Sequence, residues 1–171
     1  VFHILGNMLF LWVFGPNVED RFGRVGFLLF YLGGAVVAGL AQSLQVQPPP
    51  IVPPELLNEN YLDPALRDDL RRQLQIIEEI TRSIPTIGAS GAVAAVTGAY
   101  LILFPRTLIR IILFFVLVGS FQIPAVWFIA FAIFRDMIGL GMGGGDVAYL
   151  AHLGGYAYGI GISLFLLTTR I

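Results

Sequence analysis

Cysteine is absent from the 171 residues, which removes disulfides, thiol catalysis and thiolate metal sites and says nothing of redox compartment. Lysine is absent as well, so all ten basic residues are arginine. Charge of either sign is scarce. Asp, Glu, Lys and Arg make up 12% of the chain, about half the ~25% usual in a soluble domain. The net charge of −1 offers no basic footprint for nucleic acid. Two histidines and no HExxH helix leave a zinc protease without its ligands, and no metal or other cofactor is expected. What fills the chain instead is apolar: 57% hydrophobic residues and a mean hydropathy of +0.82 point to contact with lipid. The first residue is Val, inside an apolar run with no basic leader. That is not a secretory signal, and the expectation is a fragment whose N-terminal part is missing.

Measured against the ~20 apolar residues that cross a bilayer core, the runs fall at about 2–14, 25–44, 86–104, 124–140 and 147–169. The first is closed by an expected turn at Gly15-Pro16-Asn17. Residues 107–121 are apolar but too short for a second full helix before 124, and are read as a membrane-dipping or interfacial connection. The expected fold class is an all-α polytopic membrane protein, a single domain over 1–171 with a polar insert at 45–85. The insert opens with a stiff proline-rich linker, Pro48 to Pro54. Asp63-Pro64 then has the form of an N-cap and first helical residue. Leu66, Leu70, Leu74, Ile77 and Ile80 make one apolar stripe at helical spacing, Asp68 with Arg72 and Glu78 with Arg82 form i,i+4 pairs on the wet side, and Pro85 ends the helix. Such a helix lies on the membrane surface, or caps the mouth of a site.

Orientation follows from arginine placement in the short connections. If the first span runs from outside to inside, Arg21, Arg24, Arg106, Arg110 and Arg170 fall inside, and Arg135 falls outside in a short loop. His3 and Asn7, Ser90 and His152 then all sit within about 10 Å of the outer boundary, at ~1.5 Å per residue.

Ionisable residues inside membrane spans default to function. Here the two histidines stand out, and no carboxylate is read within a span. Ser90 lies in Gly88-Ala89-Ser90-Gly91, whose small neighbours admit a substrate backbone. A serine hydroxyl needs a base to take its proton, and His152 is the candidate. His3 and Asn7 share a helix face and can donate to a developing oxyanion, with the Ser90 N–H as a third donor. Gly155 and Gly159 form a small-xxx-small packing motif.

Together these residues resemble the rhomboid family. His3-x-x-x-Asn7 is similar to the second-helix motif lining the oxyanion site. Gly88-Ala89-Ser90-Gly91 is similar to the nucleophile motif of the fourth helix, and Ala151-His152-x-x-Gly155-x-x-x-Gly159 to the sixth. Asn7 to Phe10 through Gly15, with Val18-Glu19-Asp20 and Gly23, resembles the second helix and its exit in bacterial members. The resemblance implies a rhomboid-like helical bundle, with about five transmembrane helices present of a six-helix core. It implies an intramembrane serine endopeptidase acting on transmembrane protein substrates in a lipid bilayer, by a Ser90–His152 dyad that needs no third carboxylate. It assigns His3, Asn7 and Gly88 to oxyanion or substrate binding, and Gly91, Gly155 and Gly159 to helix packing. It places the protein in the bacterial cytoplasmic membrane with the site near the outer face. The sequence departs from the family at Ala94, where some members carry an aromatic ring that packs on the histidine.

Two rivals follow from the same residues. Rhomboid-like pseudoproteases bind or route membrane clients without cutting them, and typically lose Ser or His, both present here. Gly143-x-Gly145-Asp146 spells the GxGD pattern of intramembrane aspartyl proteases, but a second Asp in a span is needed to share its proton, and a flexible glycine connection is the simpler reading. A transporter would show inverted repeats or discontinuous helices, and none is evident.

Overall fold

In hydrocarbon a backbone must satisfy its own polar groups, and an apolar run does so by coiling into a helix. The computed structural model describes residues 2–44, 63, 68–70, 72–76, 89–113, 119–142 and 148–169. The chain divides into two compact units, residues 1–45 with 87–171, and residues 46–86. Among the described residues the first contains five helices: α1 (Phe2–Phe22), α2 (Arg24–Ser43), α3 (Ala89–Leu103), α4 (Ala125–Gly141) and α5 (Tyr149–Thr169).

Helix α1 runs straight through Gly15-Pro16-Asn17, where a turn was expected. Proline forfeits one helical hydrogen bond, but packing on both sides of it holds the helix. Phe14 and Val18 are fully buried, and Asn17 Nδ2 donates to the Tyr100 hydroxyl at 3.2 Å. The reversal comes instead at Gly23, whose φ of 71° and ψ of 161° belong to a region only glycine occupies at low cost. Its N–H donates to Glu19 O at 2.7 Å and its carbonyl accepts from the Phe27 N–H at 2.8 Å, so one residue ends α1 and starts α2.

Helix α2 buries Phe30, Gly34, Ala38 and Gln42, a stripe repeating every fourth residue. Val25, Leu28, Leu29, Leu32, Val36 and Leu40 are left exposed. A continuous exposed leucine and valine face suits lipid, not water. Helix α3 lies at the centre, with every residue from Gly91 to Tyr100 buried. Among the described residues, α2 and α5 are long and apolar enough to cross a membrane, while α3 is a shorter apolar helix of 15 residues.

The stretch expected as a connection contains an antiparallel ribbon, β1 (Leu108–Leu113) with β2 (Gly119–Pro124), pairing Leu108 with Pro124 and Leu113 with Gly119. Isoleucines at 109, 111 and 112 favour extended backbone, and Pro124 stands at the strand end, where a missing N–H costs least. The chain entering and leaving the ribbon also completes α4: the Ala125 and Val126 N–H groups donate to Thr107 O at 2.8 Å and Pro105 O at 3.1 Å. These are orphan donors of a helix start.

In the second unit, residues 68–70 and 72–76 are helical. Leu70 and Leu74 are half-buried among exposed neighbours, and the i,i+4 link drawn there is Gln73 Nε2 to Asp69 Oδ2 at 2.9 Å, not Asp68 with Arg72. The proline linker, the helix start at Pro64, Glu78 with Arg82, and the stop at Pro85 lie outside the described residues, as do Gly88 and the Gly143–Asp146 pattern.

Candidate active site

Small residues decide where the site forms. A Cβ on Gly155 would collide with the Gly91 carbonyl oxygen and lie 3.1 Å from Ala94 Cβ. One on Gly159 would meet the Ala95 carbonyl, with Ala99 N at 2.8 Å, and one on Gly91 would strike Ala38 Cβ. The backbones of α3 and α5 therefore touch, and α2 presses on α3 from another side. This contact sets the starts of α3 and α5 side by side. Among the described residues Ser90 is the second of α3 and His152 the fourth of α5.

The start of α5 is fixed from α2. The Ala151 N–H, an orphan of the first turn, donates to Gln42 Oε1 at 3.2 Å, and Gln42 is buried. His152 N–H in turn donates to Ala148 O at 3.2 Å.

Ser90 and His152 open onto one cavity of about 260 Å³. His3, Gly6, Asn7 and Phe10 of α1 line a second side, and Val93, Ala94 and Thr97 continue the wall along α3. Ala132 and Arg135 come from α4, and Tyr156 lies one turn beyond His152. Ser90 and Asn7 are half-buried and His3 is exposed. The structure thus brings Ser90, His152, His3 and Asn7 together from three helices, while Gly91, Gly155 and Gly159 lie behind them in the helix contact. Ser90 and His152 both line the cavity, and among the described contacts no hydrogen bond joins their side chains.

One expectation is overturned. A carboxylate does lie within a helix of the bundle: Asp136 of α4 is fully buried, and its Oδ2 stands 2.9 Å from His152 Nδ1. Its Oδ1 accepts two bonds from Arg135, from Nη2 at 2.7 Å and Nε at 3.1 Å. Arg135, expected in an outer loop, is a residue of α4 that lines the cavity and remains 63% exposed. The signal was present as two opposite charges in the otherwise apolar run 124–140. Adjacent residues point about 100° apart on a helix, so the pair can place one charge inward and the other at the cavity rim. Among the described residues no cluster of three or more His, Cys, Asp or Glu could hold a metal ion.

The family model described as Rhomboid domain matches residues 1–169. RHOMBOID-like protein 12, mitochondrial, of Arabidopsis thaliana is 27% identical over 155 residues, covering 91% of this chain and 39% of that protein. Rhomboid protein 1, mitochondrial, of Saccharomyces cerevisiae is 29% identical over 160 residues, covering 92% of this chain and 36% of that protein. The chain thus spans less than two fifths of the length of either relative. No solved structure matches the chain.

Proposed function

This chain belongs to the Rhomboid family, and we propose that it is an intramembrane serine endopeptidase whose nucleophile is Ser90 and whose general base is His152. The observation that carries the reading is that these two side chains, from the starts of α3 and α5, line one cavity with His3 and Asn7. A transmembrane protein substrate enters laterally and presents an unwound peptide near the outer face. The Ser90 Oγ bonds to the peptide carbonyl carbon as its proton passes to the imidazole of His152. The carbonyl π pair moves to oxygen, where the His3 and Asn7 side chains and the Ser90 N–H can donate to it; Gly88 is assigned to the same oxyanion or substrate-binding set. Collapse of the tetrahedral species breaks the C–N bond, and the leaving amine takes the proton from His152. Water, deprotonated by His152, then repeats the attack on the acyl-enzyme and frees Ser90. Gly91, Gly155 and Gly159 serve the reaction by letting the helices that carry Ser90 and His152 meet.

A second reading keeps the fold and loses the chemistry: a client-binding protein that does not cut. The presence of both Ser90 and His152 favours the enzyme. A fluorophosphonate probe separates the two. The enzyme reading expects covalent labelling of the folded, membrane-reconstituted wild type at Ser90, with none in Ser90→Ala. A wild type that binds clients and takes no label supports the second reading.

We assign the protein to the bacterial cytoplasmic membrane, with the cavity towards the outer face, on its compact core and the arginines of the connections. Both named relatives are mitochondrial by name, and fractionation of the producing cell decides between the two membranes.

A further inference from the structure

From the contacts around His152 we infer that Asp136 is a positioning residue of this site, making the reactive group a Ser90–His152–Asp136 array with Arg135 as the clamp on the carboxylate. The inference rests on the protease reading above. Asp136 is fully buried, and a carboxylate so placed is costly unless paired and hydrogen-bonded. Both its oxygens are engaged, and by different partners. Oδ1 takes the Arg135 guanidinium at 2.7 and 3.1 Å, and Oδ2 faces His152 Nδ1 at 2.9 Å. A carboxylate held by a guanidinium is ionised and can only accept. The proton between Asp136 and His152 therefore belongs to Nδ1, and in the neutral imidazole the lone pair is forced onto Nε2, the nitrogen a base must present to the Ser90 hydroxyl.

The same contact fixes the ring in space. At position 94, one turn after Ser90, the side chain is a methyl group, and Ala94 is buried against the α3–α5 contact. Asp136 supplies from α4 the hold on the imidazole that this wall lacks. It also tells why α4 is tied to α5 by a charged contact, whereas the core cluster of the bundle is apolar. As His152 accepts the proton from Ser90, the imidazolium forms next to a negative charge already in place, a preorganised stabilisation of the kind enzymes exploit in water-poor sites. Arg135, at the cavity rim, holds the other oxygen of that carboxylate through Nη2 and Nε.

The test uses the full chain reconstituted in lipid vesicles with a transmembrane substrate, comparing wild type, Ser90→Ala and Asp136→Asn. The expected result is a kcat about a hundredfold lower or more in Asp136→Asn, with KM within about threefold of wild type. A kcat within about twofold of wild type, with Ser90→Ala inactive, overturns the inference and leaves the protease reading standing. A wild type that neither cleaves nor takes a serine probe overturns both. A second measurement needs no variant at Asp136. The chain has two histidines, so 15N-histidine spectra of the wild type, assigned with His3→Ala, report the tautomer of His152 directly. A neutral ring protonated on Nδ1 is expected, and one protonated on Nε2 overturns the inference even if Asp136→Asn fails to fold.

Discussion

His152 shows how much of a residue's chemistry is set by neighbours far away in sequence. Its ring is 12% exposed, with the Asp136 carboxylate on one nitrogen and the Ser90 cavity beside it. Asn7 stands across that cavity on α1, four residues after His3, and its amide has donors to offer a developing oxyanion. Replacing Asn7 with Ala is expected to lower kcat about tenfold or more, because one oxyanion donor is worth roughly 1–4 kcal/mol. Melting in detergent should be close to wild type, since the side chain is only half-buried. An unchanged kcat would take Asn7 out of the site. Ser90, His152, His3 and Asn7 were legible at this scale because polar groups are rare in an apolar chain. Asp136 was not, because an adjacent Arg–Asp pair reads as a surface break until the facing helix is known.

At the scale of elements, the contact between α3 and α5 governs the geometry of the site. The glycines at 155 and 159 stand against backbone atoms, which cannot swing aside as side chains do. Gly155→Val should therefore destabilise the bundle by about 1–3 kcal/mol or more and reduce cleavage further than its stability loss explains, because it pushes the start of α5 from Ser90. Thermal unfolding read beside kcat checks this; wild-type values for both would mean the helices do not meet there. Gln42→Leu removes the acceptor for the Ala151 N–H, and by analogy with lost helix caps should cost about 1 kcal/mol; an unchanged melting temperature contradicts that role. The limits of α2, α4 and α5 were readable within a few residues from apolar runs alone. The end of α1 was not: local chemistry favours a turn at Pro16, whereas burial of Phe14 and Val18 carries the helix on to Gly23. The ribbon of β1 with β2 escaped because β1 is apolar except at Arg110 and shows no strand-like alternation, while the alternation Ser120-Phe121-Gln122-Ile123 in β2 is too short to set it apart from helix.

At the scale of the whole molecule, the chain is a membrane bundle of the Rhomboid family, with an exposed apolar face on α2, a core of aromatic, aliphatic and small residues, and a polar cavity lined by Ser90, His152, His3 and Asn7. The acidic segment 45–85, with its leucine stripe, stands outside that design. Deleting 55–83 is expected to alter which substrates are cut more than the rate of the chemical step, measured across a panel of transmembrane substrates. Equal cleavage of every member by the deletion variant and the wild type would remove any role as a cap. The central claim is the pairing of Ser90 with His152, and cleavage tests it most directly. The protein is placed in lipid vesicles with a model transmembrane substrate, beside Ser90→Ala and His152→Ala. Cutting by wild type and by neither variant is the predicted result; cutting that survives Ser90→Ala would contradict the account at its root.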